Sequence, residues 1–319
     1  MKISSISKKI NGNFIGSNDI DVFGFSSFKN IQENTIIFVS NLKVFNAMNT
    51  SKLSEKTVLL VGEDLKYLSR EYSILLSMAP EVDFAKISYI FNLKKSLNNV
   101  VKSNFCMDDS SSIGSNHSFG FNVIIEENVI IGDNVTLGNN VVISRGTSIG
   151  NDVFIDSGTV IGSEGFGNLR DSNCKWIHIY HQGNVVIKDN VSIGANCTID
   201  RGTIEDTIIS SGVIIDNQVH IAHNVIIESD TAIAANTGIA GSCHIGKRNM
   251  IGGMVGIVDH ISTADDVIIS ATSTVFKDIK EPGVYTGILP ISKHTKWKRI
   301  ALWITKVDKI AKFLNIKKI

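Results

Sequence analysis

Proline and cysteine are both scarce in this sequence, which has three prolines and four cysteines among 319 residues. So few prolines argue against a chain rich in extended linkers. The cysteines show no CxxC spacing and no disulfide framework, so the sequence predicts reduced thiols in a cytoplasmic protein and indicates no zinc site. The four are Cys106, Cys174, Cys197 and Cys243.

The chain also lacks an excess of charge and a long apolar run. Its 31 basic and 31 acidic residues balance, which gives no support to a nucleic-acid partner through bulk electrostatics. No apolar stretch approaches the roughly 20 residues of a membrane-spanning helix, and the first residues do not read as a secretory signal. We therefore expect a soluble protein.

The most regular feature of the sequence is an apolar residue at every sixth position. The pattern runs without a miss from Ile113 to Ile161, resumes at Ile187, skips once after Ile199 and continues to Val275, faltering at Thr263. A period of six fits neither the 3.6 of a helix nor the alternation of a strand. Each repeat is therefore a short strand plus a corner, and three repeats close one triangular coil of a parallel β-solenoid.

Regions of different texture flank the repeats. Residues 35–39 (TIIFV) and 57–61 (TVLLV) read as buried strands and residues 84–93 as a helix, which predicts a small α/β domain over residues 1–106. The solenoid is expected over residues 107–284. Residues 285–319 form a predicted C-terminal extension, whose residues 293–319 read as a basic amphipathic helix.

Two segments outside the regular coil are candidates for function. Phe38 and Asn41 lie where a strand runs into a loop, a place to stack on and hydrogen-bond a planar base, although a core residue and a turn residue fit equally well. Residues 162–167 (GSEGFG) open a polar excursion that reaches about Asn184 and holds Trp176, His178 and His181. Loops of this length are often functional, and a plain surface loop is the alternative.

Histidines are the candidates for chemistry, because the imidazole takes and returns a proton near neutral pH. His223 falls two places after the interior Ile221, in a corner position where a polar turn residue is the competing interpretation. His260 lies two 18-residue coils and one residue further on, which places it about 10 Å away along the axis. Small residues in the same coils, including Gly238, Ala240 and Gly256, leave room for a groove that suits a hydrocarbon chain.

The repeat resembles the hexapeptide-repeat family of left-handed β-helices, most of which are trimeric acyltransferases. The resemblance therefore implies a mainly β fold, a left-handed parallel β-helix with a small N-terminal α/β domain and a C-terminal helix. More specifically, five strings are similar to those of the UDP-3-O-acylglucosamine N-acyltransferases of lipid A biosynthesis. They are IDNQVHIAHNVII (215–227), GSEGFG (162–167), TIDRG (198–202), IGGMVGIVDHI (251–261) and EPGVY (281–285).

This resemblance implies a homotrimer that moves a 3-hydroxyacyl group from acyl carrier protein to the free 2-amine of a UDP-sugar lipid precursor, UDP-3-O-acyl-glucosamine, with no cofactor besides the acyl donor. His223 matches the general base of the family, and His260 matches a supporting or substrate-binding histidine. The basic residues of the C-terminal helix are a docking surface for acyl carrier protein, or else a solvated face or a weak contact for anionic membrane. The implied substrate residues are Asp216, Asn217 and His220 for the sugar, Phe38 and Asn41 for uracil, and Gly238, Ala240, Gly256, Thr274 and Phe276 for the acyl groove.

Several positions depart from the family pattern. His220 replaces a Gln, Val44 replaces a Tyr, Leu42 replaces a Pro, and Asp259 replaces a Gly. The first repeat block is also shorter by about two hexapeptides. Thr274 or Phe276 is expected to end the acyl groove, and Phe276→Gly to lengthen the accepted chain.

Three alternative functions stay open from the sequence. One is O-acylation of UDP-N-acetylglucosamine, against which the separate N-terminal domain argues. Another is a metal-dependent hydratase with His220, His223 and His244 as ligands, which no motif supports. The third is an inactive paralogue.

Overall fold

The computed structural model describes residues 1–92, 100–287 and 291–313. Contacts between Cα atoms divide the chain into two compact units, Met1–Ser96 and Leu97–Ile319. None of the helices in the described ranges is long and apolar enough to cross a membrane. The two units are considered separately below.

The first unit is a small α/β domain with a five-stranded sheet. The strands lie side by side in the order Asn13–Ile15, Ile74–Leu76, Thr57–Val61, Thr35–Phe38 and Gly24–Phe25, and all neighbours are parallel except the first pair. The two predicted strands are confirmed, and the predicted helix begins earlier, at Pro80. The remaining elements are the α-helices Ile3–Lys9, Leu42–Asn46 and Pro80–Asn92 and the 3₁₀-helices Thr50–Lys52 and Glu63–Arg70.

The second unit is the left-handed parallel β-helix, with three parallel sheets that we name faces A, B and C. Face A consists of Val100–Val101, Ser118–Phe119, Thr136–Leu137, Phe154–Ile155, Ser192–Ile193, Ile214–Ile215, Ala232–Ile233, Met250–Ile251, Val267–Ile269 and Gly283–Tyr285. Face B consists of Cys106–Met107, Ile124–Ile125, Val142–Ile143, Val160–Ser163, Thr198–Asp200, His220–Ile221, Gly238–Ile239, Gly256–Ile257 and Thr274–Val275. Face C consists of Ser112–Ile113, Ile130–Ile131, Ser148–Ile149, Val185–Ile187, Thr207–Ile209, Ile226–Ile227 and His244–Ile245.

The sixth-position residues form the core of the coil, as the sequence predicts. Ile143, Ile199 and Ile221 are fully buried in one face B row, and each stacks on its counterpart in the next coil. Among the described residues, Val100–Val101 pairs with Ser118–Phe119 at one end of face A, and Gly283–Tyr285 pairs with Val267–Ile269 at the other. The core therefore runs the length of the coil as stacked aliphatic side chains.

The corners need a residue with positive φ, which explains the many asparagines. Asn116, Asn122 and Asn128 adopt φ between 56° and 57°. Asparagine enters this left-handed region more readily than other side chains because it hydrogen-bonds locally. Its amide also bonds along the stack, as Asn122 Nδ2 does to Asn140 Oδ1 at 2.9 Å. His260 occupies such a corner position, with φ 59°.

Two segments of the second unit lie outside the regular coil. The excursion after residue 163 contains an antiparallel hairpin of Asn168–Arg170 and Trp176–His178. The single predicted helix over residues 293–319 is wrong, because two helices, His294–Ile304 and Val307–Phe313, are separated by a turn. The hydroxyl of Thr305 donates to Leu302 O at 2.9 Å, and such side-chain bonds compete with a continuing helix. Residues 314–319 lie outside the described residues.

Candidate active site

An apolar cleft of about 670 Å³ lies on face B. Along this face the outward-pointing residues of four successive coils are His220, Gly238, Gly256 and Thr274. The two glycines have no side chain, so the outer surface of the sheet is open between His220 and Thr274, and this opening is part of the cleft. It is lined by Phe166, His220, Ala222, His223, Gly238, Ile239, Ala240, Gly241, Gly256, Ile257, Val258, Asp259, His260 and Thr274.

His223 stands at the corner that follows the strand His220–Ile221. Asn224 is oriented by two bonds, because its Nδ2 donates to Glu205 O at 2.9 Å and its Oδ1 accepts from Thr203 N at 3.0 Å. That oxygen lies 3.0 Å from His223 Nδ1, which must therefore carry the proton. The neutral imidazole is thus held with Nε2 as the unprotonated nitrogen, the form that a general base requires.

Two glycines make room for the His223 ring. A Cβ at Gly241 would lie 2.7 Å from His223 Cε1 and 2.8 Å from Nε2. A Cβ at Gly165 would lie 2.9 Å from His223 Cβ and 2.8 Å from His181 Nε2. Gly165 belongs to the GSEGFG segment, so that predicted functional loop reaches the site, and Phe166 beside it lines the cleft.

His260 lines the same cleft, as its spacing predicts. The strand register places Asp259, one residue earlier, in line with Gly241 and His223. His260 is accordingly displaced to the next corner position, where its backbone N–H donates to Gly241 O at 3.0 Å. The two histidines therefore face one cavity from different coils.

His181 lies next to His223, and no role for it in the site was predicted from the sequence. The ring is fully buried, and its centroid lies 5.2 Å from that of His223 in an edge-on contact. Its backbone N–H donates to Glu164 Oε2 at 2.9 Å, and its Nε2 has no hydrogen-bond partner within the described residues. Burial opposes ionisation of Glu164, but the His181 N–H bond and the neighbouring positive charges hold the pKa of that carboxyl below its usual value.

Asp200 is the second residue that sequence reasoning missed, although it lies within the quoted string TIDRG. Its carboxylate is buried and accepts from Ser163 Oγ at 2.9 Å. His220 Nε2 lies 3.8 Å from Asp200 Oδ2, and His220 Nδ1 lies 2.7 Å from Thr198 Oγ1. Both nitrogens of His220 therefore face protein atoms. Burial raises the pKa of the Asp200 carboxyl, opposed by the Ser163 bond and by nearby histidines.

Some predicted site residues lie elsewhere. Asp216 and Asn217 occupy the corner before His220, where Asp216 Oδ1 accepts from Asn217 N at 2.7 Å and Asn217 Oδ1 accepts from Ala195 N at 2.7 Å. Phe276 is exposed and does not line the cleft; it lines a second pocket with Tyr285, which shares Thr274 with the cleft. The structure brings Gly238, Ala240, Gly256 and Thr274 together in the cleft.

The predicted uracil residues have structural contacts in the first unit. Phe38 stacks on Phe84 with ring centroids 5.1 Å apart and packs against the core. Asn41 caps the helix Leu42–Asn46, where its Oδ1 accepts from Val44 N at 3.1 Å. These contacts match the core and turn interpretation, and a role in base binding stays a prediction.

The three histidines of the hydratase alternative are not brought together. His244 points outward on face C, 3.2 Å from Glu228 Oε1, whereas His220 is on face B. Across the part of the chain that the structure describes, no three His, Cys, Asp or Glu side chains are grouped to hold a metal ion.

Comparison with known proteins supports the resemblance inferred from the sequence. A family model described as "Hexapeptide repeat of succinyl-transferase" matches residues 112–145 and 128–163. A UDP-3-O-acylglucosamine N-acyltransferase from Idiomarina loihiensis is 43% identical over 149 residues, 47% of this chain and 43% of the relative. Another from Herminiimonas arsenicoxydans is 37% identical over 139 residues, 44% of this chain and 39% of the relative. The matched part thus covers less than half the length of these relatives.

Solved structures share the fold. LpxA from Acinetobacter baumannii superposes with a TM-score of 0.54 at 27% identity, over 59% of this chain and 71% of that one. LpxA from Bacteroides fragilis, a UDP-N-acetylglucosamine acyltransferase, gives a TM-score of 0.51 at 28% identity, over 56% of this chain and 68% of that one. The resemblance to UDP-3-O-acylglucosamine N-acyltransferases and the β-helix fold are confirmed by these findings.

Proposed function

We propose that this chain is an N-acyltransferase of lipid A biosynthesis. It moves a 3-hydroxyacyl group from acyl carrier protein to the 2-amine of UDP-3-O-(3-hydroxyacyl)-glucosamine. The observation that carries the proposal is His223, whose Nδ1 proton is fixed by Asn224 and whose ring borders an apolar cleft. The similarity to relatives of that name supports the choice of reaction.

His223 is the general base of the proposed reaction. The neutral 2-amine attacks the thioester carbonyl, and the unprotonated Nε2 of His223 takes the proton that nitrogen gives up as the N–C bond forms. The C–S bond breaks when the tetrahedral intermediate collapses. The leaving thiolate recovers the proton from the imidazolium, so His223 ends as it began.

The cleft suits the acyl chain of the donor. Gly238 and Gly256 present backbone to it, and Ile239, Val258 and Ala240 supply apolar walls. Burial of a methylene group contributes about 0.8 kcal/mol, so an extended chain in such a cleft is bound without any charged contact. Thr274 stands at the last of these coils and is the proposed end of the groove.

Face A supports the proposed homotrimer. Its outward residues in successive coils are Ile214, Ala232, Met250, Ile268 and Val284, and all except Ala232 are exposed large apolar side chains in the single chain. A continuous apolar row of this kind marks a surface that another protein surface covers. We propose that Asp216 and Asn217 contact the glucosamine. Phe38 and Asn41 of the first unit are the proposed uracil contacts.

The basic C-terminal helices are the proposed docking surface for acyl carrier protein. Lys296, Lys298 and Arg299 are exposed on the helix His294–Ile304. An acidic carrier protein is attracted to such a cluster, and the attraction weakens with salt. Because the donor is a cytoplasmic protein, we place the reaction in the cytoplasm. The domain limits at residues 106 and 284 belong to this proposal as well.

O-acylation of UDP-N-acetylglucosamine is the second candidate, favoured by the similarity to solved acyltransferases of that substrate. The two are separated by incubating purified protein with 3-hydroxyacyl-acyl carrier proteins of graded length and one acceptor at a time. We expect acyl transfer to the free amine of UDP-3-O-acyl-glucosamine and a loss of about 10²-fold or more in His223→Ala. Wild-type turnover that survives unchanged in His223→Ala would refute the assigned base.

A further inference from the structure

Asp200 is held at an irregular point of face B. The strands Val160–Ser163 and Thr198–Asp200 pair in parallel, but their register shifts between Ile161 and Ser163, so that Ser163 comes opposite Asp200. The Ser163 hydroxyl then donates to the Asp200 carboxylate. A carboxylate this deeply buried costs folding free energy unless charged or polar partners surround it.

Three imidazoles surround this carboxylate. His220 approaches it from the next strand of face B at 3.8 Å, and the pairing of Ile199 with Ile221 puts Asp200 in line with Ala222, the residue before His223. The positive charges of His220, His223 and His181 oppose the rise in the pKa of Asp200. His223 and His181 also contact each other. The buried negative charge of Asp200 therefore lies near three histidines, which are His220 on the strand, His223 at the corner and His181 in the excursion.

Most other charges near Asp200 are engaged elsewhere, whereas Asp259 lines the cleft that His223 borders. Glu164 bonds to the His181 backbone and lies 3.3 Å from His181 Nδ1. Arg201, next to Asp200, turns away and donates to Arg145 O and to Asn184 Oδ1. Arg145 in turn pairs with Glu164 at 3.5 Å. Asp200 is thus a buried carboxylate that faces the ring of His220, on the strand that leads to His223.

We infer that Asp200 is a positioning residue that acts through His223: its negative charge stabilises the imidazolium that forms when His223 takes the proton from the acceptor amine. The effect on turnover rests on the proposed function, but the effect on His223 itself does not. Solvent screens a charge near a partly buried group only weakly, so removing the Asp200 charge should change the protonation of His223 measurably.

The test is the pH dependence of His223 modification by diethyl pyrocarbonate, which reacts with neutral imidazole. The rate at His223 is resolved by fragment-ion mass spectrometry in wild type and Asp200→Asn, with Asp200→Ser as a second charge-removing variant should Asn not fold. We expect the midpoint for His223 to fall by about one pH unit when the charge is removed.

Asp152→Asn is the matched control, because Asp152 occupies an exposed corner position of the kind that Asn fills elsewhere in the coil. Its midpoint should equal that of wild type. An unchanged midpoint in a folded Asp200 variant would overturn the inference. The acid limb of kcat/KM should shift downward in parallel. An inactive wild type would count against the proposed function alone, since the modification midpoints would still report on Asp200.

Discussion

The position of His223 depends both on its hydrogen bond and on the empty space beside its ring. Asn224 fixes the proton on Nδ1, while Gly165 and Gly241 leave the volume that the ring occupies. The sequence pointed to small residues as a groove for substrate. It gave no sign that one of them faces the base, because that contact depends on the register between two coils.

Gly241→Ala should therefore impair the base without dismantling the coil. The new Cβ would lie 2.7 Å from the His223 ring, which must rotate or shift. We expect kcat/KM to fall by about tenfold or more, since misplacement of a reacting group by about 1 Å costs up to 10²-fold. Gly24→Ala is the matched control, because its Cβ would meet nothing within 4 Å. Equal kcat/KM in the two variants would contradict the assigned contact.

We expect ionised Asp200 to lower the free energy of unfolding at neutral pH. Because burial raises its pKa in the folded state, folding favours the protonated form, and ionisation weakens the fold as pH rises above the usual range of an aspartic acid. Asp200→Asn removes this cost. We expect its Tm at pH 7 to exceed that of wild type by about 2 °C, and the gap to close toward pH 4. A lower Tm in Asp200→Asn at pH 7 would contradict this account of its burial.

At the scale of elements, the six-residue period determines most of the β-helix. It predicted the interior row and the spacing that brings His223 and His260 to one cleft. It did not predict that His181 and Asp200 join His223, since both depend on irregular segments. The excursion brings His181 back to His223. The coil that contains Asp200 has four additional residues, so Thr198 and its face B partner His220 are 22 rather than 18 positions apart.

At the scale of elements, the structure favours Thr274 over Phe276 as the residue that ends the acyl groove. Thr274 lines both the cleft and a second pocket, whereas Phe276 lines only the second pocket. Thr274→Leu should shift donor preference to acyl chains about two carbons shorter, since a buried methylene is worth about 0.8 kcal/mol. Phe276→Gly, the matched change outside the cleft, should leave the preference unchanged. Competition between 3-hydroxyacyl donors of graded length measures both, and a response to Phe276→Gly alone would reverse the assignment.

At the scale of the whole molecule, the main feature is the outward apolar row of face A, which a single chain leaves exposed to solvent. Ile214→Asp should weaken the proposed trimer, because it places a charge in a surface that assembly would dehydrate. Ile130→Asp is the control, since Ile130 is similarly exposed on face C but is flanked there by Ser112 and Ser148. Native mass spectrometry should report smaller species for Ile214→Asp only, and identical assemblies would argue against face A as the interface.

The choice of acceptor tests the central claim most directly. Purified protein is given one 3-hydroxyacyl-acyl carrier protein and an equimolar mixture of UDP-3-O-acyl-glucosamine and UDP-N-acetylglucosamine, and the products are separated by mass. The account predicts a single new product, the N-acylated form of the first acceptor, absent with His223→Ala. Acylation of UDP-N-acetylglucosamine instead, or of neither acceptor, would contradict it.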